Sequence, residues 1–159
     1  MIKRIVSTFN TVRLDYVFTG ALAASYYGTP RTTMDVDIMV KVSKMELRTK
    51  LVPTLRKAEL RVDEDRINTA LESGFRITTL EDTRSPFTVD IIFSTESLQK
   101  KAGSILGLPT FYQTPEDLIR VKLRMIKATV PRERTIKDID DIRAILKFTD
   151  VDMKSLKKW

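Results

Sequence analysis

The stretch Gly28-Thr29-Pro30-Arg31-Thr32-Thr33-Met34-Asp35-Val36-Asp37-Ile38-Met39-Val40 sets two carboxylates two residues apart inside an apolar run. Side chains alternate along a strand, so Asp35 and Asp37 project together from one face while Val36, Ile38 and Val40 supply apolar packing. Two like charges this close repel unless a cation lies between them. Hard divalent ions such as Mg2+ favour carboxylate oxygens and also engage substrate phosphates, so the pair reads as metal-binding. A D-x-D string alone is equally a polar strand end with two solvated aspartates; what precedes it decides between the two.

Upstream, Leu14, Tyr16, Val17 and Phe18 read as a short strand ending at Thr19-Gly20, and Ala21 to Tyr27 has helix-forming composition until Gly28 stops it. A strand that enters a helix through glycine exposes the first backbone N–H groups of that helix, which bind anions, and glycine lets a phosphate approach closely. A phosphate cradle and a carboxylate pair are thus expected side by side on neighbouring strands. A third acid fits this picture. Phe75 to Glu81 alternates, Asp82 to Pro86 signals a turn, and Phe87 to Phe93 follows as the second strand of a hairpin. Asp90, flanked by Val89 and Ile91, would carry a desolvation cost if unpaired. Its partner is either a base such as Arg76 or a cation shared with Asp35 and Asp37.

These residues resemble the DNA polymerase beta superfamily of nucleotidyltransferases. Within it, the chain is most similar to the AbiEii-like group, whose pattern G-[GS]-x-A followed by G-x-x-R-x-T-x-D-x-D is matched by Gly20 to Ala23 and Gly28 to Asp37. Thr114 to Leu123 and Lys137 to Ile142 look like the group's two helical motifs. The resemblance implies a mixed β-sheet core flanked by helices, of α/β (α+β) class, with residues 1–112 as nucleotidyltransferase core and 113–159 as a helical segment packed on it. It implies transfer of a nucleoside monophosphate from an NTP to an acceptor. Asp35, Asp37 and Asp90 would be catalytic and would hold Mg2+ or Mn2+. Gly20, Ala21, Arg31 and Lys122 would bind the nucleotide, with Arg31 steadying a phosphate or Asp90 and Lys122 holding the triphosphate. Lys137, Asp138 and Asp141 are second-line candidates. Members that are toxins of toxin–antitoxin systems modify tRNA, so tRNA or other RNA is the implied acceptor and an antitoxin the implied protein partner. One residue departs from the pattern: where Gly or Ser is common, this chain has Ala21, which offers a backbone N–H but no hydroxyl. That departure supports the alternative of a nucleotide- or RNA-binding module without catalysis. A second alternative, an antitoxin-like enzyme that modifies a protein, lacks its short G-S-x-A-R-G start here.

Composition sets the remaining bounds. A chain of 159 residues with 42% hydrophobic content suits one domain with an ample core. It contains no cysteine and no histidine, which excludes disulfides, thiolate chemistry and imidazole, so acid–base work falls to carboxylates. The start Met1 to Asn10 is too polar for a signal peptide, and Ile2, Ile5, Val6 and Phe9 mark one face of a helix; a cytoplasmic protein with no membrane span is expected. The net charge of +7 is uneven: residues 120–159 hold 12 Lys and Arg against 6 Asp and Glu, and residues 1–119 hold 16 against 15. A cation-rich helical end would attract a triphosphate or a polynucleotide through residues such as Arg120, Lys127, Arg132 and Arg134, or simply form a solvated surface.

Further helices are expected from Ser43, a capping-box start, to about Leu60; over Asp65 to Glu72; from Thr114 to about Ala128; and from about Ile136 to Lys147, with Pro131 between the last two. On the helix from Thr114, Leu118, Val121 and Met125 are expected to pack, with Lys122 at the edge. The tail Lys154 to Trp159 is expected to fray.

Overall fold

The alternation that selects β2 (Asp35–Lys41) also orders its neighbours in the computed structural model, which describes residues 1–74, 76–128 and 132–158. The expected strand start at Phe75, the separator Pro131 and the last tail residue Trp159 lie outside the described residues. On one side β2 pairs antiparallel with β1 (Asp15–Phe18), and on the other it runs parallel to β4 (Thr88–Phe93). Val36, Ile38, Val40, Val89, Ile91 and Phe93 are all buried on the shared apolar face. The expected hairpin forms, with β3 (Ile77–Glu81) antiparallel to β4.

A second hairpin closes the sheet and was not legible in the sequence. β5 (Lys100–Ile105) pairs antiparallel with β6 (Leu108–Gln113), and β6 lies parallel to β1. The turn is the dipeptide Leu106-Gly107, whose φ angles of 49° and 78° are both in the left-handed region. Such angles suit a tight two-residue hairpin, and Gly107 was the one available signal. The resulting order is β3-β4-β2-β1-β6-β5, a mixed six-stranded sheet.

Helices cover the apolar face. α1 (Ile2–Thr11) buries Ile5, Val6 and Phe9, and the Phe9 ring meets Tyr16 of β1 edge-on at 5.2 Å. α2 (Gly20–Tyr27) connects β1 to β2, and its Tyr27 hydroxyl donates 2.7 Å to the Gln113 carbonyl. The helix expected from Ser43 is interrupted: α3 (Lys44–Glu46) opens with its capping box, a π turn follows over Leu47–Leu51, and α4 (Val52–Lys57) completes the run. α5 (Glu64–Glu72) is capped by Asp63.

At the C-terminal end, α6 (Pro115–Ala128) and α7 (Arg132–Phe148) pack on each other and on α2. The buried stripe of α6 is Leu118, Ile119 and Lys122, one step round from the expected one; Val121 is half-buried and Met125 exposed. Most of the expected frayed tail is instead α8 (Met153–Lys157), whose N-cap Asp152 accepts from the amides of Lys154 and Ser155. Arg120 donates 2.9 Å to the Ser155 carbonyl and so ties α8 to α6.

A network of four charges fixes these helices to the turn before β2. Lys122 donates 2.9 Å to Asp138 and 2.9 Å to Asp141, and Arg31 forks onto both oxygens of Asp141 at 3.1 and 3.0 Å. Burial alone would raise the Asp141 carboxyl, but hydrogen bonds from Arg31 and Lys122 outweigh it and hold Asp141 below the usual range. Removing one partner leaves buried charge uncompensated. Lys122→Met is therefore expected to cost on the order of 3–5 kcal/mol in urea melts, and adding Asp138→Asn and Asp141→Asn should recover more than half of that loss.

Candidate active site

Asp35 and Asp37 leave β2 on the face opposite its apolar residues, and the parallel register sets Asp37 beside Asp90 and Asp35 beside Thr88. Adjacent strands lie only ~4.8 Å apart, so three carboxylates share one small area of sheet. Asp35 is exposed and Asp37 and Asp90 are half-buried. Two threonines hold the outer acids: Thr88 donates 2.6 Å to Asp35 and Thr79 donates 2.6 Å to Asp90. Arg76, offered as an alternative partner for Asp90, does not take that place. The threonines were missed in the sequence, although Thr88 and Asp90 share the spacing of two that placed the aspartates on one face.

Asp37 has no such hydroxyl and lies against the glycine turn instead. Gly20 has φ +60°, and a Cβ built there would stand 2.1 Å from the Asp37 Oδ2. No other residue type fits, because a side chain would meet both backbone strain and the carboxylate. The Thr19 amide donates 3.0 Å to the Asp37 carbonyl, which locks the turn onto β2. Thr19 is also the N-cap of α2, yet its side chain makes no cap; its hydroxyl turns away to the Gln113 side-chain oxygen. The first N–H groups of α2, those of Gly20 and Ala21, have no acceptor within the helix. Ala21 itself is buried, so its contribution to this turn is the amide alone.

Burial first, then the charges of Asp90 and Asp35, push the Asp37 carboxyl up to about 6, against the opposing pull of Lys122 and Arg134. The positive charge of the helical segment thus reaches the acid row. Arg31 and Lys122 are not grouped with the acids directly, since both are held on Asp141, and Arg31 pairs there rather than with Asp90. A solvated Lys122 is excluded, because its side chain is only 7% exposed. Asp138 and Asp141 are buried beside it and Lys137 is exposed.

Comparison with known proteins adds to this geometry. No protein-family model and no curated protein matches the sequence. Among solved structures, the solution structure of the antibiotic-resistance factor ANT(2'')-Ia superposes with a TM-score of 0.64 at 13% identity, over 99% of this chain and 85% of the other. The crystal structure of ANT(2'')-Ia in complex with adenylyl-2''-tobramycin gives 0.59 at 15% identity, over 92% and 86%. An antigenic nucleotidyltransferase-like protein from Paracoccidioides brasiliensis gives 0.61 at 16% identity, over 96% and 80%. The chain has the nucleotidyltransferase fold. The narrower resemblance to the AbiEii-like group rests on the sequence motifs alone.

A nucleotidyltransferase fold raises the question of a divalent cation, and the residues fit one. All candidate donors are hard carboxylate oxygens, and the charges of Asp90 and Asp35, which add to burial in raising the Asp37 carboxyl, are ones a cation would offset. Among the described residues no three acidic side chains already stand as a ligand set. Asp35 and Asp90 would each exchange a threonine hydroxyl for the ion.

Burial and the neighbouring charges also predict a pH dependence without metal. The Asp37 carboxyl titrates near 6 when folded against an ordinary value near 3.8, so the folded state holds the extra proton between these values and loses stability as pH rises through them. With chelator present, Asp37→Asn is expected to raise the melting temperature at pH 7.5 by roughly 5 °C, corresponding to on the order of 2 kcal/mol. The gain should shrink towards zero near pH 4, as read by calorimetry.

Proposed function

We propose that the protein is a metal-dependent nucleotidyltransferase that moves a nucleoside monophosphate from an NTP to an acceptor hydroxyl. The observation that carries this reading is the contact between Asp37 and Gly20, which sets an acid row directly beside the uncapped N-terminus of α2. The amides of Gly20 and Ala21 bind phosphate oxygens of the NTP. Mg2+ or Mn2+ held by Asp35, Asp37 and Asp90 would supply positive charge for the attacking and leaving oxygens. Asp90, in register with Asp37, takes the proton of the acceptor hydroxyl as the new P–O bond forms and pyrophosphate leaves. Arg31 and Lys122 contribute positive charge to the nucleotide site from behind Asp141, a role that needs no direct contact with phosphate.

Two acceptor classes have support. The motif resemblance supports tRNA or other RNA, with an antitoxin as protein partner, and exposed Arg132 and Arg134 on α7 agree with it. Arg120 and Lys122 do not, since both are engaged inside the fold. The likeness to ANT(2'')-Ia, found in complex with adenylyl-2''-tobramycin, supports a small hydroxylated acceptor. The reading as a non-catalytic binding module is favoured by Ala21, which supplies no hydroxyl to a phosphate.

Pyrophosphate release separates the readings. With Mg2+, each NTP in turn and either total RNA or a hydroxylated small molecule, wild type should release pyrophosphate, and Asp37→Asn should lower the rate by about 1000-fold, consistent with loss of charge stabilisation at phosphorus. NTP binding without pyrophosphate release under any of these conditions would establish the binding-module reading instead.

A further inference from the structure

The acid row does not end at Asp37. Two residues further along β2 on the same face is Met39, and it floors a cavity of about 200 Å³ that is bounded by α6 and by the segment following β4. Val17 of β1, Glu96, Gln113, Asp117 and Arg124 complete the part of the lining that matters here. Val17 stands opposite Met39 in the antiparallel register and is fully buried, so the floor is apolar. The walls are polar. Gln113 is 1% exposed; it donates 2.5 Å to Asp117 from its amide nitrogen and receives the Thr19 hydroxyl on its oxygen. This relay connects the phosphate-binding turn at Gly20 to the cavity wall and fixes the Asp117 side chain there.

We propose that this cavity is the acceptor subsite and that it takes a single ring bearing hydroxyls and an ammonium group. The proposal rests on the nucleotidyltransferase reading above and specifies its acceptor. The size of the cavity suits one saturated ring rather than a length of polynucleotide. Its charge suits a cation: Glu96 and Asp117 oppose the single positive charge of Arg124, and the three acids of the adjoining row add to the negative side. A phosphodiester backbone would meet two carboxylates here and be repelled. The apolar floor of Val17 and Met39 suits the C–H face of a ring, and carboxylates at the rim suit its ammonium and hydroxyls. Successive same-face positions on a strand lie ~7 Å apart, so a ring over Met39 holds a hydroxyl next to Asp37 and Asp90. That hydroxyl oxygen attacks the α-phosphorus, its proton passes to Asp90, and the bond to the bridging oxygen breaks to release pyrophosphate. The product is a phosphodiester between the ring and the nucleoside, and no further reactant is needed.

D-glucosamine and D-glucose differ by one ammonium group on the same ring and provide the test. Full-length protein is incubated with Mg2+, α-phosphate-labelled NTPs and either sugar or total RNA, and Mg2+-dependent NTP binding is measured separately by equilibrium dialysis. The expected result is label in glucosamine with a KM at least about tenfold below that for glucose. Glu96→Gln, at an exposed position, and Asp117→Asn should each raise the glucosamine KM by about tenfold and the glucose KM by a clearly smaller factor, so that the preference for glucosamine falls. Equal KM values for the two sugars, an unmoved glucosamine KM in Glu96→Gln, or label confined to RNA would overturn the subsite and leave nucleotidyl transfer standing. Loss of Mg2+-dependent NTP binding in wild type would overturn both.

Discussion

The contact between the Asp37 carboxylate and the bare Cα of Gly20 is the constraint on which the site depends. It demands glycine at the head of α2 and sets the start of that helix against an acid. Asp37 also shares its area with Asp35 and Asp90, and burial first, then those two charges, push its carboxyl up to about 6. A site that sets negative charge beside the uncapped start of a helix would favour ligands that bring a cation and an anion together, as a metal–nucleotide complex does.

The C-terminal helices are electrostatically part of this site although none of their side chains joins the acid row. Lys122 is buried between Asp138 and Asp141, and Arg31 holds Asp141 from the turn that leads into β2. The network is neutral in total, two cations against two carboxylates. It therefore fixes α6 and α7 against the core at little long-range cost, while Lys122 still stabilises the ionised form of Asp37. The same placement lets α6 present Asp117 and Arg124 to the cavity over Met39.

The legible parts of this arrangement were those written in short-range pattern. Period-two alternation gave the faces of β2, β3 and β4, and a glycine between an apolar strand and a helix-forming run marked the turn at Gly20. The register between β2 and β4 was not readable, because parallel pairing joins residues more than fifty positions apart; only the structure shows Asp37 facing Asp90 rather than a neighbour one step along. The β5–β6 hairpin was missed because its strand Lys100–Ile105 is polar and mostly exposed, so it lacks the apolar alternation that identified the others. Lys122 was placed at a helix edge because burial of a lysine follows from partners on another helix, and nothing local to α6 announces Asp138 and Asp141. Thr79 and Thr88 had a local signal, the shared parity with the acids, but threonine is so ordinary in strands that the signal carries little weight by itself.

The central claim is that Asp37 is held at high charge density for a metal-bound nucleotide. Its most direct test is the side-chain carboxyl carbon resonance of Asp37, followed by NMR through a pH titration without metal and again with saturating Mg2+ and a non-hydrolysable NTP analogue. The account predicts a midpoint about 6 without ligand. With both ligands present, the midpoint should fall below the ordinary carboxylate value of about 4. An ordinary midpoint in the free protein, or one that Mg2+ and nucleotide leave unmoved, would contradict it.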